Sequence, residues 1–315
     1  MPYLKFISSL PRMQAFAFAA SMAGTFFAGN TSVAHCAGAC DKTTASGFTA
    51  CNFTAEGNYN FAIGNCDNFA DIAIQHACKT QAYQALTDAQ QLCGDQRAAR
   101  HDACSSLGQA PYDPVINPKD FVSVVDNPWL PMRPGDIRTY KGPDYTVKIT
   151  VADQTITLLG VTCTVVHDVK MAGGEIVEDT SDYFAQQRNG NVWYFGEDTV
   201  AYDNGIGSTQ GSWRAGINSA KPGIVMFGNP KLGVTYRQEF LLDVGEDMAT
   251  TSAYNQKVTV PIGNFSNAFE TLEFSPLEPG STENKYYVRG IGQVLTIDLQ
   301  TGEREELVSL SHLRQ

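Results

Sequence analysis

Carboxylate and aromatic side chains lie close together in the second half of the 315-residue chain. Residues 178–184 end in two aromatics, and residues 193–198 begin with three. Because side chains alternate along a strand, Glu178, Asp182 and Phe184 would share one face. Asp179 and Tyr183 would share the other. The candidate ligand-binding residues are Glu178, Asp182, Trp193, Glu197, Glu239 and Glu273.

Such a set of side chains is compatible with three kinds of site. Carboxylates that converge inside a barrel would supply the oxygen ligands that Ca²⁺ prefers, which makes Ca²⁺ the candidate cofactor. Two carboxylates could act as acid and base on a glycoside. The aromatic rings could line a cavity for an apolar or sugar ligand. If the β domain has no binding site, the aromatic side chains fill the core and the carboxylates face water or form ion pairs. The partners for such pairs would be Lys148, Arg188, Arg237, Lys285 and Arg289.

The sequence lacks the motifs that mark common catalytic centres. It contains no His-Glu-x-x-His, no Walker loop and no Gly-x-Gly-x-x-Gly. Thr209 occupies the nucleophile position of an elbow-like segment at 207–211, but that composition is ordinary for a turn. A hydrolase triad would need His167 or His312, and His167 is expected to be an ordinary strand residue. We therefore assign no catalytic residue, and the balance favours a protein that is not an enzyme.

Six cysteines in the first third of the chain are arranged symmetrically about residue 72. Along each arm, neighbouring cysteines are 11 or 15 residues apart, which keeps them on one helical face. Two antiparallel helices packed through that face bring paired Cα atoms to about 5.5 Å, the usual disulfide distance. Residues 71–93 contain neither Gly nor Pro, and Asp71 is a suitable N-cap. The sequence therefore predicts a helical hairpin with the disulfides Cys40–Cys104, Cys51–Cys93 and Cys66–Cys78.

Two cysteines remain outside this pattern. Cys36 and Cys163 either pair with each other, which would tie the hairpin to the rest of the chain, or leave Cys163 a buried thiol. Zinc is the alternative for the cysteine cluster, but zinc sites use closely spaced cysteines that converge on one point. Cysteines spread along a rod favour disulfides instead, and disulfides are typical of exported proteins.

The first 34 residues resemble a secretion signal. Lys5 and Arg12 precede a 14-residue apolar run at 15–28, and small residues end at Ala34. The run is shorter than the roughly 20 residues that span a bilayer, and no later stretch is apolar enough to do so. A lipoprotein anchor on Cys36 is the alternative, which His35 disfavours. We therefore predict a secreted or periplasmic product cleaved near Ala34.

The charge of the predicted mature chain disfavours several kinds of partner. Loss of Lys5 and Arg12 leaves 20 basic and 33 acidic side chains, a net charge of −13. An acidic protein is repelled by phosphate backbones, so the charge disfavours nucleic acid and anionic membrane surfaces as partners, and we predict no nucleic-acid partner. The predicted partner is therefore an unknown small ligand or a molecule of the cell surface.

The composition changes after a segment at 108–118 that contains three prolines. Beyond it, β-branched runs alternate with hairpin signals such as Asn189-Gly190 and Thr301-Gly302. We expect ten to twelve sequential strands, which pair antiparallel through tight turns and curl to avoid long exposed edges. The predicted fold is α+β but mainly β: the stapled hairpin, then an antiparallel up-and-down β-barrel or a strongly curved half-barrel. A two-sheet sandwich is the alternative. The predicted parts are a signal peptide (1–34), the hairpin (35–108), a linker (109–119) and the β domain (120–315).

Five segments of the β domain carry a family resemblance. They are DNPWLP at 126–131 with PG at 134–135, GNVWYFGE at 190–197, YRQE at 236–239, SPLEPG at 275–280 and KYY at 285–287. With these segments the chain resembles an uncharacterised group of exported, mainly bacterial β-rich proteins with a Cys-rich helical segment in front. The resemblance covers most of residues 120–300. It implies the architecture and export, and it implies no activity.

Three functions are consistent with these observations. The first is an exported, non-enzymatic binding or surface module, with a cavity lined by residues 193–195 and the hairpin as spacer or docking rod. The second is a carboxylate-based hydrolase, which requires two carboxylates about 5–10 Å apart, at least one with a raised pKa. The third is a purely structural extracellular protein with a filled core.

Overall fold

The computed structural model describes residues 38–312. The helices are α1 (Ala39–Cys66) and α2 (Ile72–Leu107), with a short 3-10 helix (Pro118–Asp120) after them. Neither α1 nor α2 combines the length and the hydropathy of a membrane-spanning helix, and the described residues contain no other α-helix. The predicted signal segment, the cleavage site near Ala34 and Cys36 lie outside the described residues. The strands are β1 (Phe121–Val122), β2 (Asp136–Lys141), β3 (Tyr145–Leu158), β4 (Val161–Ala172), β5 (Glu175–Gln187), β6 (Val192–Asp203), β7 (Ile206–Ser208), β8 (Trp213–Arg214), β9 (Lys221–Met226), β10 (Thr235–Arg237), β11 (Glu239–Phe240), β12 (Met248–Val260), β13 (Gly263–Phe274), β14 (Thr282–Val288), β15 (Gly292–Asp298) and β16 (Arg304–His312).

The two helices form the predicted antiparallel hairpin. Asp71 is the N-cap of α2, and its carboxylate accepts hydrogen bonds from the backbone N–H groups of Ala73 at 2.7 Å and Ile74 at 3.1 Å. These bonds satisfy two of the N–H groups that have no partner inside the first helical turn. The cap therefore determines where the second arm begins.

All three predicted disulfides are present. Their Cα–Cα distances are 5.7 Å for Cys40–Cys104 and for Cys51–Cys93, and 5.6 Å for Cys66–Cys78. Each bridge closes a loop and stabilises the hairpin by about 2–4 kcal/mol. Cys163 is fully buried and has no disulfide partner among residues 38–312, whereas Cys36, its predicted alternative partner, lies outside them. Burial raises the pKa of this thiol to about 12.

Thirteen strands follow one another in a single sheet, in the order β10-β12-β13-β14-β15-β16-β2-β3-β4-β5-β6-β9-β11. The pairs along this path are antiparallel, and β16 pairs with β2, so that the two ends of the β domain join in the middle of the sheet. The sheet curls into a nearly closed barrel, which is one of the two predicted forms. The sandwich alternative is wrong. The described residues form sixteen strands instead of the expected ten to twelve. The excess comes from five strands of only two or three residues, β1, β7, β8, β10 and β11.

The two edges of the sheet meet in residues 235–240, which we call the seam segment. Its first half, β10, pairs with β12, and its second half, β11, pairs with β9. A Cβ atom on Gly223 of β9 would lie 2.3 Å from the carbonyl carbon of Gln238. The missing side chain of Gly223 therefore allows the backbones at the seam to approach.

Both faces of the sheet are covered along β4–β6. An apolar cluster covers the outer face of the sheet, away from the interior of the barrel, which is the lumen. This outer cluster contains Cys163, Tyr183 and Trp193. Ile116 and Phe121, from the predicted linker and the start of the β domain, pack against it. The linker thus covers part of the barrel wall.

A buried ion pair docks α2 onto the barrel. Arg100 and Glu246 are 4% and 2% exposed. The guanidinium donates from Nη2 to Glu246 Oε1 at 2.7 Å and from Nε to Oε2 at 2.9 Å. Gln96 adds a hydrogen bond to the carbonyl oxygen of Leu277 at 2.9 Å. A Cβ atom on Gly47 would lie 3.0 Å from Arg100 Nη1, so this glycine of α1 makes room for the guanidinium.

Glu246→Gln is expected to lower the free energy of unfolding by about 3–5 kcal/mol, because it leaves the buried Arg100 guanidinium with only the half-exposed Asp243 carboxylate, 3.9 Å away, as a counter-charge. The double variant Arg100→Met/Glu246→Met should recover most of that loss, since it removes both charges. Arg97→Met is the matched control: Arg97 is exposed on the same helix, and its guanidinium lies 4.8 Å from the Phe48 ring centroid. Urea denaturation measures all three. A Glu246→Gln variant no less stable than Arg97→Met would contradict this account.

Gly223→Ala is expected to destabilise the barrel by about 1–3 kcal/mol, because the added methyl group meets the backbone of the seam segment. Gly57→Ala is the control, since a Cβ atom there meets nothing within 4 Å. In the interior of α1 it should stabilise the protein by up to about 1 kcal/mol. Thermal unfolding and amide hydrogen exchange at residues 235–240 compare the two. Equal effects of both substitutions would show that the seam does not need a glycine.

Candidate functional site

A cavity of about 420 Å³ lies inside the barrel. This volume is within the range of roughly 300–1,000 Å³ that is usual for small-ligand sites. Glu178, Asp182 and Phe184 of β5 line it, as the alternation of side chains predicts. Tyr183, between them, packs into the outer cluster, and Asp179 is exposed.

An apolar cluster adjoins the cavity within the barrel. Val166 and Asp168 are two residues apart on one face of β4, yet Val166 is buried in this cluster while Asp168 lines the cavity. Trp129, from the segment before β2, belongs to the same cluster, and its ring centroid lies 5.4 Å from that of Phe269. The lumen is therefore filled by apolar side chains at one level and is polar and open at the next.

The polar part of the lumen is strongly acidic. Twelve carboxyl side chains line the cavity, against three basic ones, Lys170, Lys285 and Arg304. Walls of one sign and low dielectric focus the electrostatic field, so the cavity attracts cations and repels anions. The carboxyl residues are Asp168, Glu178, Asp182, Glu197, Glu239, Asp247, Glu273, Glu278, Glu283, Asp298, Glu303 and Glu305.

On one wall a lysine holds two of these carboxylates. The Lys285 Nζ atom lies 2.9 Å from Glu273 Oε2 and 3.0 Å from Glu283 Oε1. The hydroxyl groups of Thr271 and Tyr287 donate to Glu273 Oε1 at 2.9 and 3.2 Å. Burial lowers the pKa of Lys285, but Glu273 and Glu283 outweigh it and raise the pKa well above its usual value. This wall therefore contains a fixed network in which one ammonium group offsets part of the charge of two carboxylates.

On β4 and β5, carboxyl groups hold protons near neutral pH. Burial, and then the nearby Asp168, raises the pKa of Asp182 to about 8. Burial and Glu178 raise the pKa of Asp168 to about 7. The Tyr194 hydroxyl donates a hydrogen bond of 2.5 Å to Asp182 Oδ1. A cation that entered the cavity would favour the ionised form of both aspartates.

Five of the six predicted site residues line the cavity: Glu178, Asp182, Glu197, Glu239 and Glu273. Trp193 does not. It lies in the outer cluster, and its Nε1 donates to Gln187 Oε1 at 3.0 Å. Its neighbour Tyr194 faces the lumen instead, because adjacent side chains of a strand point to opposite faces.

Other lining residues were missed from the sequence. Asp168 and Glu305 line the cavity and have raised pKa values, chiefly through burial. Asp168 shares its strand face with Val166. This alternation along β4 was the feature of the sequence that could have identified Asp168 as a residue facing the interior. Only the register, which sets Asp168 opposite Thr180 of β5, shows that it faces the other carboxylates.

The structure gives no centre for metal or triad chemistry among residues 38–312. No three His, Cys, Asp or Glu side chains there form a group that could hold a metal ion, so the calcium hypothesis has no preassembled site in this part of the chain. The ring of His167 forms a 3.1 Å hydrogen bond with the Ser181 hydroxyl, and that of His312 lies 2.9 Å from Asp136. Neither histidine lines the cavity.

Comparisons with known proteins add little to the geometry. No family model and no curated protein matches the sequence. A solved structure of a putative lipoprotein from Parabacteroides distasonis is similar at 13% identity and a TM-score of 0.32, over 58% of this chain and 98% of that one. A hypothetical protein from Chlamydia trachomatis is similar at 10% identity and a TM-score of 0.19, over 57% of this chain and 88% of that one. At such TM-scores neither likeness bears on fold or function.

The raised pKa of Asp182 predicts that stability falls as pH rises. Above about pH 4 the unfolded state loses this proton, whereas the native state keeps it up to about pH 8, so each pH unit between costs up to about 1.4 kcal/mol. Asp182→Asn removes this cost and can still accept the Tyr194 hydrogen bond. Its stability advantage over wild type should therefore grow from pH 5 to pH 7.5. Urea denaturation at both pH values measures it, with Asp179→Asn on the opposite face as control. Parallel pH profiles for wild type and Asp182→Asn would contradict the assignment.

Proposed function

We propose that this chain is an exported, non-enzymatic binding module that takes a small polar ligand into the lumen of its β-barrel. The observation that supports this most is the cavity of about 420 Å³ with a polar, mostly acidic lining next to a packed apolar cluster. A purely structural barrel gains nothing from such a cavity, because its burial of carboxylates costs free energy. Proteins keep such unfavourably buried carboxyl groups mainly at functional sites, including binding sites.

Export is the second part of the proposal. Three disulfides are typical of proteins that fold in an oxidising compartment. The sequence signals at residues 1–34 and the resemblance to an exported bacterial group point the same way. The proposed location is secreted or periplasmic.

The hairpin has the form of a spacer in this proposal. α2 contains 36 residues and is therefore about 54 Å long. Its hydrogen bonds to the barrel come from Gln96 and Arg100, near its C-terminal end. The turn between the helices lies at the other end of the rod, where Phe61 and Ile72 are 77% and 81% exposed. The hairpin would hold the barrel at a distance from whatever its tip contacts.

One observation favours the hydrolase as a second candidate. Asp182 has a raised pKa and lies opposite Glu197 of β6, so these two carboxyl groups could act together as acid and base. Neither His167 nor His312 lines the cavity to assist this pair. We therefore place binding first.

A panel of simple amines, carboxylic acids and sugars tests the binding proposal through the melting temperature. At least one class should raise the Tm of the mature protein by roughly 5 °C at saturating concentration. Ile149→Trp, which fills the lumen, should abolish the shift. Lys148→Trp, on the exposed face of the same strand, should retain it.

Two results would refute the binding proposal. One is a panel in which no class raises the Tm of the wild type. The other is a shift that Ile149→Trp retains in full, because such a ligand would bind outside the lumen. Release of 4-nitrophenol from chromogenic glycosides by the wild type, and its loss in Asp182→Asn, would favour the hydrolase instead.

A further inference from the structure

We infer that the lumen ligand is a small primary diamine or polyamine, whose ammonium groups bind the carboxylates of the cavity wall. This inference rests on the proposed binding function and specifies its ligand. It is carried by an ammonium site that the wall already contains, by the excess of carboxyl groups over basic groups in the lining, and by the size of the cavity.

The barrel itself shows how its wall holds an ammonium group. Lys285 Nζ bridges Glu273 and Glu283 at 2.9 and 3.0 Å. Carboxylates are acceptors only, and an ammonium group is a donor only, so the two match in charge and in hydrogen bonding. On the β4 and β5 wall the lining basic residue is Lys170, whose Nζ lies 4.1 Å from the Tyr145 ring centroid. The twelve carboxyl groups of the lumen thus outnumber the three basic side chains that could neutralise them.

A buried polar group lies on the same face as these carboxylates. Tyr236 of the seam segment is opposite Ala249, which is opposite Glu273, and directly opposed residues of a sheet point to one side. Tyr236 is 7% exposed, and its hydroxyl has no hydrogen-bond partner among residues 38–312. Such a hydroxyl costs about 1–3 kcal/mol when it is left unsatisfied. Tyr236 does not itself line the cavity, but Glu273 beside it does, so this polar group lies behind the acidic wall.

The cavity suits an organic amine better than a bare metal ion. Its volume of about 420 Å³ far exceeds that of one ion, and the described residues contain no preassembled metal-binding group. Phe184 and Tyr194 line the cavity as a stacked pair with centroids 4.9 Å apart. Their rings offer apolar surface to the methylene chain that joins two ammonium groups.

Binding should release a proton. An ammonium group beside Asp182 stabilises its carboxylate, so the proton held there in the free protein passes to solvent. Affinity should therefore rise from pH 6 to pH 8. The titratable groups that face Asp182 are Glu178 on its own strand, Asp168 and Lys170 from β4, Tyr194 and Glu197 from β6, and Glu239 from the seam segment.

Calorimetric titration of the mature protein with matched five-carbon probes tests the inference. Cadaverine carries two ammonium groups, 1,5-pentanediol two hydroxyl groups and glutarate two carboxylates. Cadaverine should bind at least about tenfold more tightly than either of the others, which equals a difference of about 1.4 kcal/mol. Its affinity should rise severalfold from pH 6 to pH 8, with a proton released to the buffer.

Variants and a metal control decide the outcome. Glu178→Gln/Asp182→Asn should weaken cadaverine binding about tenfold or more and flatten its pH dependence, whereas Asp179→Asn should change neither. Tighter binding of pentanediol or glutarate, or of CaCl₂, would overturn the inference and leave the proposed binding function intact. If cadaverine binds equally well to the double variant, the inference also fails. A lack of binding by every probe and by the whole solute panel would remove both.

Discussion

The buried ion pair between Arg100 and Glu246 connects the parts of this molecule. Glu246 follows the seam segment, which joins the two edges of the sheet, and Arg100 belongs to the disulfide-stapled hairpin. Neighbouring residues of the same stretch, Glu239 and Asp247, line the cavity. Docking of the hairpin, closure of the barrel and the shape of the site thus depend on one stretch of chain. Two charges can be buried there because each is the counter-charge of the other, although Arg100 Nη1 has no hydrogen-bond partner among residues 38–312.

The lumen shows how a sheet can tolerate many carboxylates at close range. On one wall Lys285 binds both Glu273 and Glu283 and offsets part of their charge. On the other, Asp182 and Asp168 keep their protons near neutral pH, chiefly because burial disfavours the charged form. Both arrangements limit the repulsion without removing the negative excess. That excess distinguishes the cavity from an ordinary barrel core, which is filled by apolar side chains.

Much of the fold could be predicted because it depends on local spacing. The cysteine positions predicted the three disulfides, and the face shared by Glu178, Asp182 and Phe184 proved to be the lumen face. The placement of Trp193 was wrong for a physical reason. Both faces of β6 are covered, one by the lumen and one by the outer cluster, so apolar content along this strand does not reveal which face is inside.

The sequence by itself determined the stapled hairpin, the change to β structure and the alternation of side chains, because helical and strand periods act over a few residues. The tertiary structure alone decided that β16 pairs with β2, that residues 235–240 close the barrel, and that Asp168 faces Asp182. The pairing of β16 with β2 joins residues far apart in the chain, and the other two contacts follow from the register in which neighbouring strands pair. No local pattern in the sequence encodes such a pairing or its register.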